Sequence, residues 1–396
     1  MRETTNTVKP IEERMKSLLV SMKIFGLYFN PQQDGKKLET SPNRRISKVI
    51  LNIFSHRMYC YMVLLLLWFN FVRAVVGLFP LNEGLPLRII FTFWYLLCTL
   101  NVTVLLVSCE RLSHLRSFYK HWDSHFKNIA TKEIGCAIKC PVEYFNLVTS
   151  VAWCVVAVSI AACSIVTLGN SPTLKPITGD FTRPFQEEPW EVSLILILYS
   201  FNTGAWVFPV IFVVVISKVI KGQFLRFRAV LSEEIQEAGD HIPACLQSLR
   251  CHYSQLCQAV AIINRTFKWI LGMSFFLQVL LACFISYQLI NGPNEIVTTC
   301  IYLYWLGGSF VFIILLTGSS SDVHDAAHSL LEDIFQIGTT NATPEYLGQL
   351  NLFVTKLTGT STGFTAINFF VIKKEFLLTL GGLFITYSFL LLQFKI

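Results

Sequence analysis

Ser321, Asp322, His324, Asp325 and His328 put the side-chain types of a hydrolytic triad into one short run. A serine nucleophile needs a histidine base within hydrogen-bond reach and a carboxylate to orient that base. In the run SDVHDAAHSLLEDIFQI, a Ser cap, acids in the first turn and an apolar stripe instead describe a helix, with these residues as its acidic start and polar face. Cys245, Cys251 and Cys257 with His252 offer metal-ligand types, but their six-residue spacing departs from the close ligand pairs of structural zinc. No metal or other cofactor is expected. Phosphate-binding glycine loops, HExxH runs and nucleophile elbows do not occur, so no enzyme is expected either.

Composition dictates the elements that must carry these residues. Of 396 residues, 53% are apolar and 14% charged, more hydrocarbon than a soluble core of this length can hide. The apolar residues cluster into runs near the ~20 residues that a helix needs to cross about 30 Å of hydrocarbon. Seven spans are predicted, at about Tyr59–Phe79, Leu87–Val107, Phe145–Leu168, Val192–Ile216, Trp269–Ile290, Val297–Thr317 and Phe376–Phe394. The first two are separated by a short turn at Pro80, Asn82 and Gly84. Residues 1–56 are polar and basic and lack the pattern of a removable signal peptide, so the first span is expected to be its own insertion signal.

Orientation follows from Lys and Arg, which cytoplasmic loops retain. Residues 1–57 carry eleven, the second loop six and the fourth seven, whereas the third carries only Lys175 and Arg183 and the fifth none. The sixth holds Lys356, Lys373 and Lys374. This alternation places the N-terminus inside and the C-terminus outside. All twelve cysteines, including Cys136, Cys140 and Cys245, fall in helices, at their edges or in cytoplasmic segments, and no external disulfide is expected. The glycosylation sequons at Asn101, Asn264 and Asn341 likewise fall in a span or inside. Arg73 and Arg88, near the outer surface, are expected to snorkel to headgroups. The net charge of +7 suits cytoplasmic loops on anionic lipid and gives no argument for nucleic acid.

The predicted fold is thus all-α, a seven-transmembrane-helix membrane protein with cytoplasmic helical extensions. Its division is 1–56 cytoplasmic, 57–216 spans one to four, 217–268 a helical extension, 269–317 spans five and six, 318–375 a helical anchor region and 376–396 the last span. Apolar residues at three-to-four spacing between Phe224 and Ile235, and a helix start at Thr343-Pro344-Glu345, support the extensions. Amphipathic hairpins on the inner membrane face are the alternative. A G-protein-coupled receptor would require this basic N-terminus outside, and neither a DRY-like nor an NPxxY-like run is present. A secondary transporter would predict internal repeats, and none is visible; Pro209 and Gly307-Gly308 fit kinks or packing sites.

At the C-terminus, Thr386-Tyr387, five residues and Gln393-Phe394 form the run TYSFLLLQF. This resembles the closing signature of the insect gustatory receptor family, and the match extends upstream through Ala366-Ile367-Asn368-Phe369. The resemblance implies a ligand-gated cation channel in the plasma membrane of chemosensory neurons, a homo- or hetero-tetramer of related receptor subunits around one pore. It implies that the last helix lines that pore, that Gln393 and Phe394 form its outer constriction, and that Thr386 and Tyr387 hold the helix against spans five and six. Independently, a Gln in an otherwise apolar helix is costly against lipid and reasonable against water or a partner. It could equally sit at the interface as the helix emerges, with Phe394 as a surface aromatic.

The resemblance also implies a ligand site in the outer half, among spans two to six. Phe91, Phe93, Trp94, Tyr199, Asn202, Tyr302 and Trp305 fall at that depth, with Ser164, Tyr287 and Gln288 on the spans that approach from inside. Aromatic walls with a few polar anchors suit a small-molecule tastant; interface anchoring or helix packing is the other reading of these residues. Ser388 stands where sugar-responsive members tend to carry Glu, which tilts the expectation away from sugars and toward a bitter or aversive compound or an unassigned ligand.

Overall fold

The computed structural model describes residues 10–29, 45–79, 84–110, 113–129, 142–168, 175–185, 188–238, 246–292, 295–338, 342–359 and 361–393. Expectations placed on Pro80, Asn82, Cys136, Cys140, Cys245, Asn341 and Phe394 lie outside these residues.

The spans are α3 (Arg45–Val76), α4 (Leu85–Glu110), α6 (Val142–Leu168), α8 (Pro189–Ala238), α9 (Leu246–Asn291), α10 (Ile296–His328) and α13 (Glu375–Gln393). The first six are long and apolar enough to cross a membrane, and α13 is a shorter apolar helix of 19 residues. The protein is an all-α membrane protein of seven-helix type. Three helices run far past the bilayer: at 1.5 Å per residue, the 50 residues of α8 extend about 75 Å.

The continuity of α10 departs from the expected helix start at Ser321. Ser321 is fully buried inside α10, its hydroxyl donating to the Gly318 carbonyl at 3.1 Å. Ser319 likewise donates to Leu316 at 3.3 Å. Hydroxyls bonded back to the preceding turn satisfy themselves without ending a helix, so the GSSS run does not act as a break.

At the basic end, the extensions of α8, α9 and α10 pack with α5 (His114–Ile129), α11 (Leu330–Ile334) and α12 (Pro344–Gly359). The rings of Phe224, Phe227 and Phe353 surround Tyr253 at 5.5–6.1 Å, all essentially water-free. Burying each such ring contributes roughly 1.5–3 kcal/mol. The polar N-terminal segment expected from composition also proves partly internal. After the short helix α1 (Ile11–Arg14), helix α2 (Lys16–Ile24) buries Leu18, Leu19 and Met22 against α6 and α8, and Phe25 stacks on Phe208 at 5.2 Å. Its anchor is Trp153 Nε1, which donates to Ser21 Oγ at 2.8 Å.

A short hairpin connects this inner bundle to α13. Strands β1 (Thr365–Ala366) and β2 (Phe370–Val371) pair antiparallel around Ile367 and Asn368, both at positive φ, 49° and 62°. A β-branched residue rarely adopts that conformation, so the turn is held by its contacts. Ile367 N donates to the Lys268 carbonyl at 3.0 Å, and Asn264 accepts from Thr365 N at 3.0 Å. Gly272 on α9 leaves the space that the Ile367 side chain enters.

Candidate functional site

The triad-like residues are dispersed by the fold. Asp322 pairs with Lys221 at 2.7 Å, Asp325 with Lys374 at 2.8 Å, and His324 Nδ1 lies 3.0 Å from the Thr362 carbonyl. Thr362 N donates to His328 Nε2 at 3.2 Å. Burial, then His324 and Lys373, hold the His328 imidazole below its ordinary pKa and thus neutral, as an acceptor must be. These side chains tie α10 and α8 to the strap before α13. Of the metal-type cluster, Cys251 is exposed, Cys257 Sγ lies 3.5 Å from Thr362 Oγ1, and His252 stacks on Phe227 at 5.4 Å.

The outer half contains a cavity of two lobes. The larger, about 330 Å³, lies between α4, α6, α8, α10 and a short helix α7 (Lys175–Thr182); the smaller, about 60 Å³, lies deeper and also meets α9. They share Phe91, Ser159, Tyr199, Tyr304 and Trp305. Phe91 meets Phe181 of α7 at 5.2 Å and Trp305 at 5.5 Å, both edge-on, while Trp94 packs on Tyr199 at 5.2 Å. Such aromatic pairs favour tilted and edge-to-face geometry because the positive ring edge meets the negative face.

Among the residues expected at this depth, Phe91, Trp94, Tyr199 and Trp305 line the cavity. The others are placed elsewhere. Phe93 packs on Phe284 at 5.8 Å, Asn202 donates to the Leu198 carbonyl at 2.8 Å, and Ser164 donates to Ile160 at 2.9 Å. Tyr302 is buried behind Trp305, and Tyr287 and Gln288 lie toward the outer end of α9 away from both lobes. Residues not anticipated are Ser159, Phe181, Trp206, Gln278, Tyr304 and Ser309. Gln278 had a legible signal, an amide in the middle of an apolar span; Phe181 had none, since α7 belongs to a loop.

Helix α7 roofs the larger lobe and is fixed by the two arginines expected to snorkel. Both are buried instead, Arg73 at 5% and Arg88 at 2% exposure. Arg73 Nη1 donates to the carbonyls of Phe181, Thr182 and Arg183 at 3.1, 3.0 and 2.6 Å, capping the C-terminus of α7 where the helix dipole favours a cation. Arg88 Nη1 donates to Gly77 and Leu78 at 3.1 and 3.2 Å, and its Nε lies 3.3 Å from Asp180 Oδ1. Burial raises the Asp180 pKa, opposed by Arg88 and Arg183. A buried guanidinium is tolerated when carbonyls and a carboxylate replace its water, which is the condition met here.

Helix α13 presents two unlike faces. Phe376, at 5.0 Å from Phe275, and Phe384, at 4.7 Å from Phe310, meet α9 and α10. At about 100° per residue, Tyr387 falls on this packing side. Glu375, Thr379, Gly382, Thr386 and Gln393 fall within about 60° of one another on another side, and all five are exposed. The hydroxyls of Thr379 and Thr386 donate to Glu375 and Gly382 carbonyls along this stripe, at 3.2 and 2.9 Å. Thr386 is therefore separated from Tyr387 and shares the face of Gln393.

A family profile described as 7tm chemosensory receptor matches residues 15–396. Among curated protein sequences, none matches. The fold is similar to that of the insect olfactory receptor OR5 from Machilis hrabei in complex with eugenol, with a TM-score of 0.68 and 16% identity over 97% of this chain and 98% of that one. A second structure of the same receptor gives a TM-score of 0.65 and 15% identity over the same shares.

Proposed function

This chain belongs to the 7tm chemosensory receptor family, and on that premise we propose that it is a gustatory receptor working as a ligand-gated cation channel. It is a membrane-spanning chemoreceptor and not an enzyme. The proposal adds that it is tuned to a bitter or aversive small molecule and resides in the plasma membrane of chemosensory neurons. It also adds that four subunits, identical or related, surround one pore.

One observation carries the channel reading: the polar stripe of α13, from Glu375 to Gln393, is turned away from its own bundle. A lone stripe of that kind would be costly against lipid, and a symmetric assembly that turns it inward gives it water. Four copies would place a ring of Glu375 carboxylates at the inner mouth and rings of Thr and Gln above it, a lining that favours cations. The C-terminal TYSFLLLQF run supports the gustatory type. The ligand would occupy the two-lobed cavity, beneath the α7 roof.

Ligand-evoked current in a cell line with G-protein signalling blocked tests this reading. Currents that persist, reverse near the cation equilibrium and lose cation preference in Glu375→Gln support it. Currents abolished by the block, or saturable uptake of ligand without current, would sink it in favour of a metabotropic receptor or a transporter.

A further inference from the structure

The cavity is lined almost entirely by apolar and aromatic groups, and its polar atoms divide into those already bonded and those left without a partner. Ser159 Oγ and Tyr304 Oη, on the wall common to both lobes, are 2.9 Å apart, and Thr167 and Thr178 of the larger lobe donate to the carbonyls of Cys163 and Val166 at 2.8 and 3.4 Å. In the smaller lobe two buried atoms have no hydrogen-bond partner, the Trp206 Nε1 donor and the Gln278 Oε1 acceptor. Gln278 is only 2% exposed. Among the described residues, no Asp, Glu, Lys, Arg or His lines either lobe.

From these features we infer the chemical class of the ligand: an uncharged, mainly aromatic molecule carrying one hydroxyl. The inference rests on the cavity being the ligand site of the proposed receptor. The ring system fills the larger lobe under Phe181, where, among the described residues, no buried side-chain atom is left without a partner. The hydroxyl points into the smaller lobe. There it accepts from Trp206 Nε1 and donates to Gln278 Oε1, the one functional group that answers both demands. An indole N–H can only donate, so the ligand must bring an acceptor. A charged ligand would lose its hydration with no counter-charge in the walls, and a sugar would strand several hydroxyls against rings already satisfied. A smaller lobe of about 60 Å³ also has room for a bound water that would meet the same two atoms, which the test must separate from ligand recognition.

Three matched probes, 2-phenylethanol, its methyl ether and propylbenzene, with glucose as a polyol, would be titrated against the full-length purified receptor. Ligand-induced thermal stabilisation reads binding independently of conduction. The alcohol is expected to bind about tenfold or more tightly than the ether, which cannot donate. Gln278→Met should erase that preference, whereas Trp206→Phe should weaken alcohol and ether alike and keep it, with propylbenzene binding within about twofold in both. Equal binding of alcohol and ether, preference for glucose, or stabilisation by none of the four overturns the inference; equal binding would assign the polar pair to a water. Binding with the expected preference but no current in cells would uphold the ligand class and defeat the channel reading, so the two fail separately.

Discussion

The two ends of the bundle solve the burial of charge differently. At the outer end, Arg88 and Asp180 form an ion pair with side-chain exposures of 2% and 12%, stitched to the Gly77 and Leu78 carbonyls just past α3 and supporting α7. At the basic end, Arg228 makes a bidentate pair with Asp333 at 2.7 and 3.0 Å, yet the Arg228 side chain remains 36% exposed. The geometry of the inner pair is better, but its cation is open to water, whereas Asp333 at 12% is as covered as Asp180. Good geometry alone does not make an ion pair matter; what decides is what remains when one partner is gone. The hydrophobic clusters divide the same way, with a large, continuous inner core and a smaller outer cluster around Phe91, Tyr95, Phe181 and Tyr302 beside the cavity. The inner bundle is built to be rigid, and the outer one to hold space.

That comparison breaks first at Arg88. Arg88→Met should leave Asp180 buried without its nearest cation and cost about 3–5 kcal/mol, read as lost thermal stability and lost surface delivery. Arg88→Met with Asp180→Leu should recover part of the loss, and the double-mutant cycle gives the coupling. An intermediate effect is expected from acid at the inner end. Burial, with a smaller contribution from His125, pushes His252 down to about 4 from its ordinary 6.5. Because the unfolded chain then binds more protons, stability is full above pH 6.5 and declines as pH falls toward 4, by up to about 3 kcal/mol. His252→Leu should flatten that part of the unfolding-temperature profile. The smallest effect is expected at Asp333→Asn, which leaves behind only the part-exposed Arg228, under about 1 kcal/mol by the same unfolding measurement. An Asp333→Asn loss equal to that of Arg88→Met would remove the distinction between the two ends.

The helices were legible because hydropathy and length act locally, and the six long spans appear near their expected centres. Extensions of α8 and α10 were visible as apolar residues at helical spacing, whereas the continuity of α10 through Ser319 and Ser321 was not, since it depends on hydroxyls bonding to the preceding turn. Arg73 and Arg88 were misread for a different reason. Charge counting sees a cation near the surface, and the carbonyls that bury Arg73 lie 108–110 positions away in a loop helix. The cavity was half legible. Aromatics at the right depth could be enumerated, but which side of each helix faces inward was set by packing that separates Phe91 and Trp94 from Phe93 on the same turn.

The most direct test of the central claim, that the stripe of α13 faces a conducting pore, is a cysteine scan of that helix. Single substitutions Thr379→Cys, Gly382→Cys and Thr386→Cys would be treated with a water-soluble thiol reagent during ligand-evoked current, beside Leu380→Cys and Phe384→Cys and the parent chain. The account predicts rapid block at the first three and current like the parent's at the other two. Block at Leu380 and Phe384 with none along the stripe would contradict it and turn the polar face of α13 away from the path of ions.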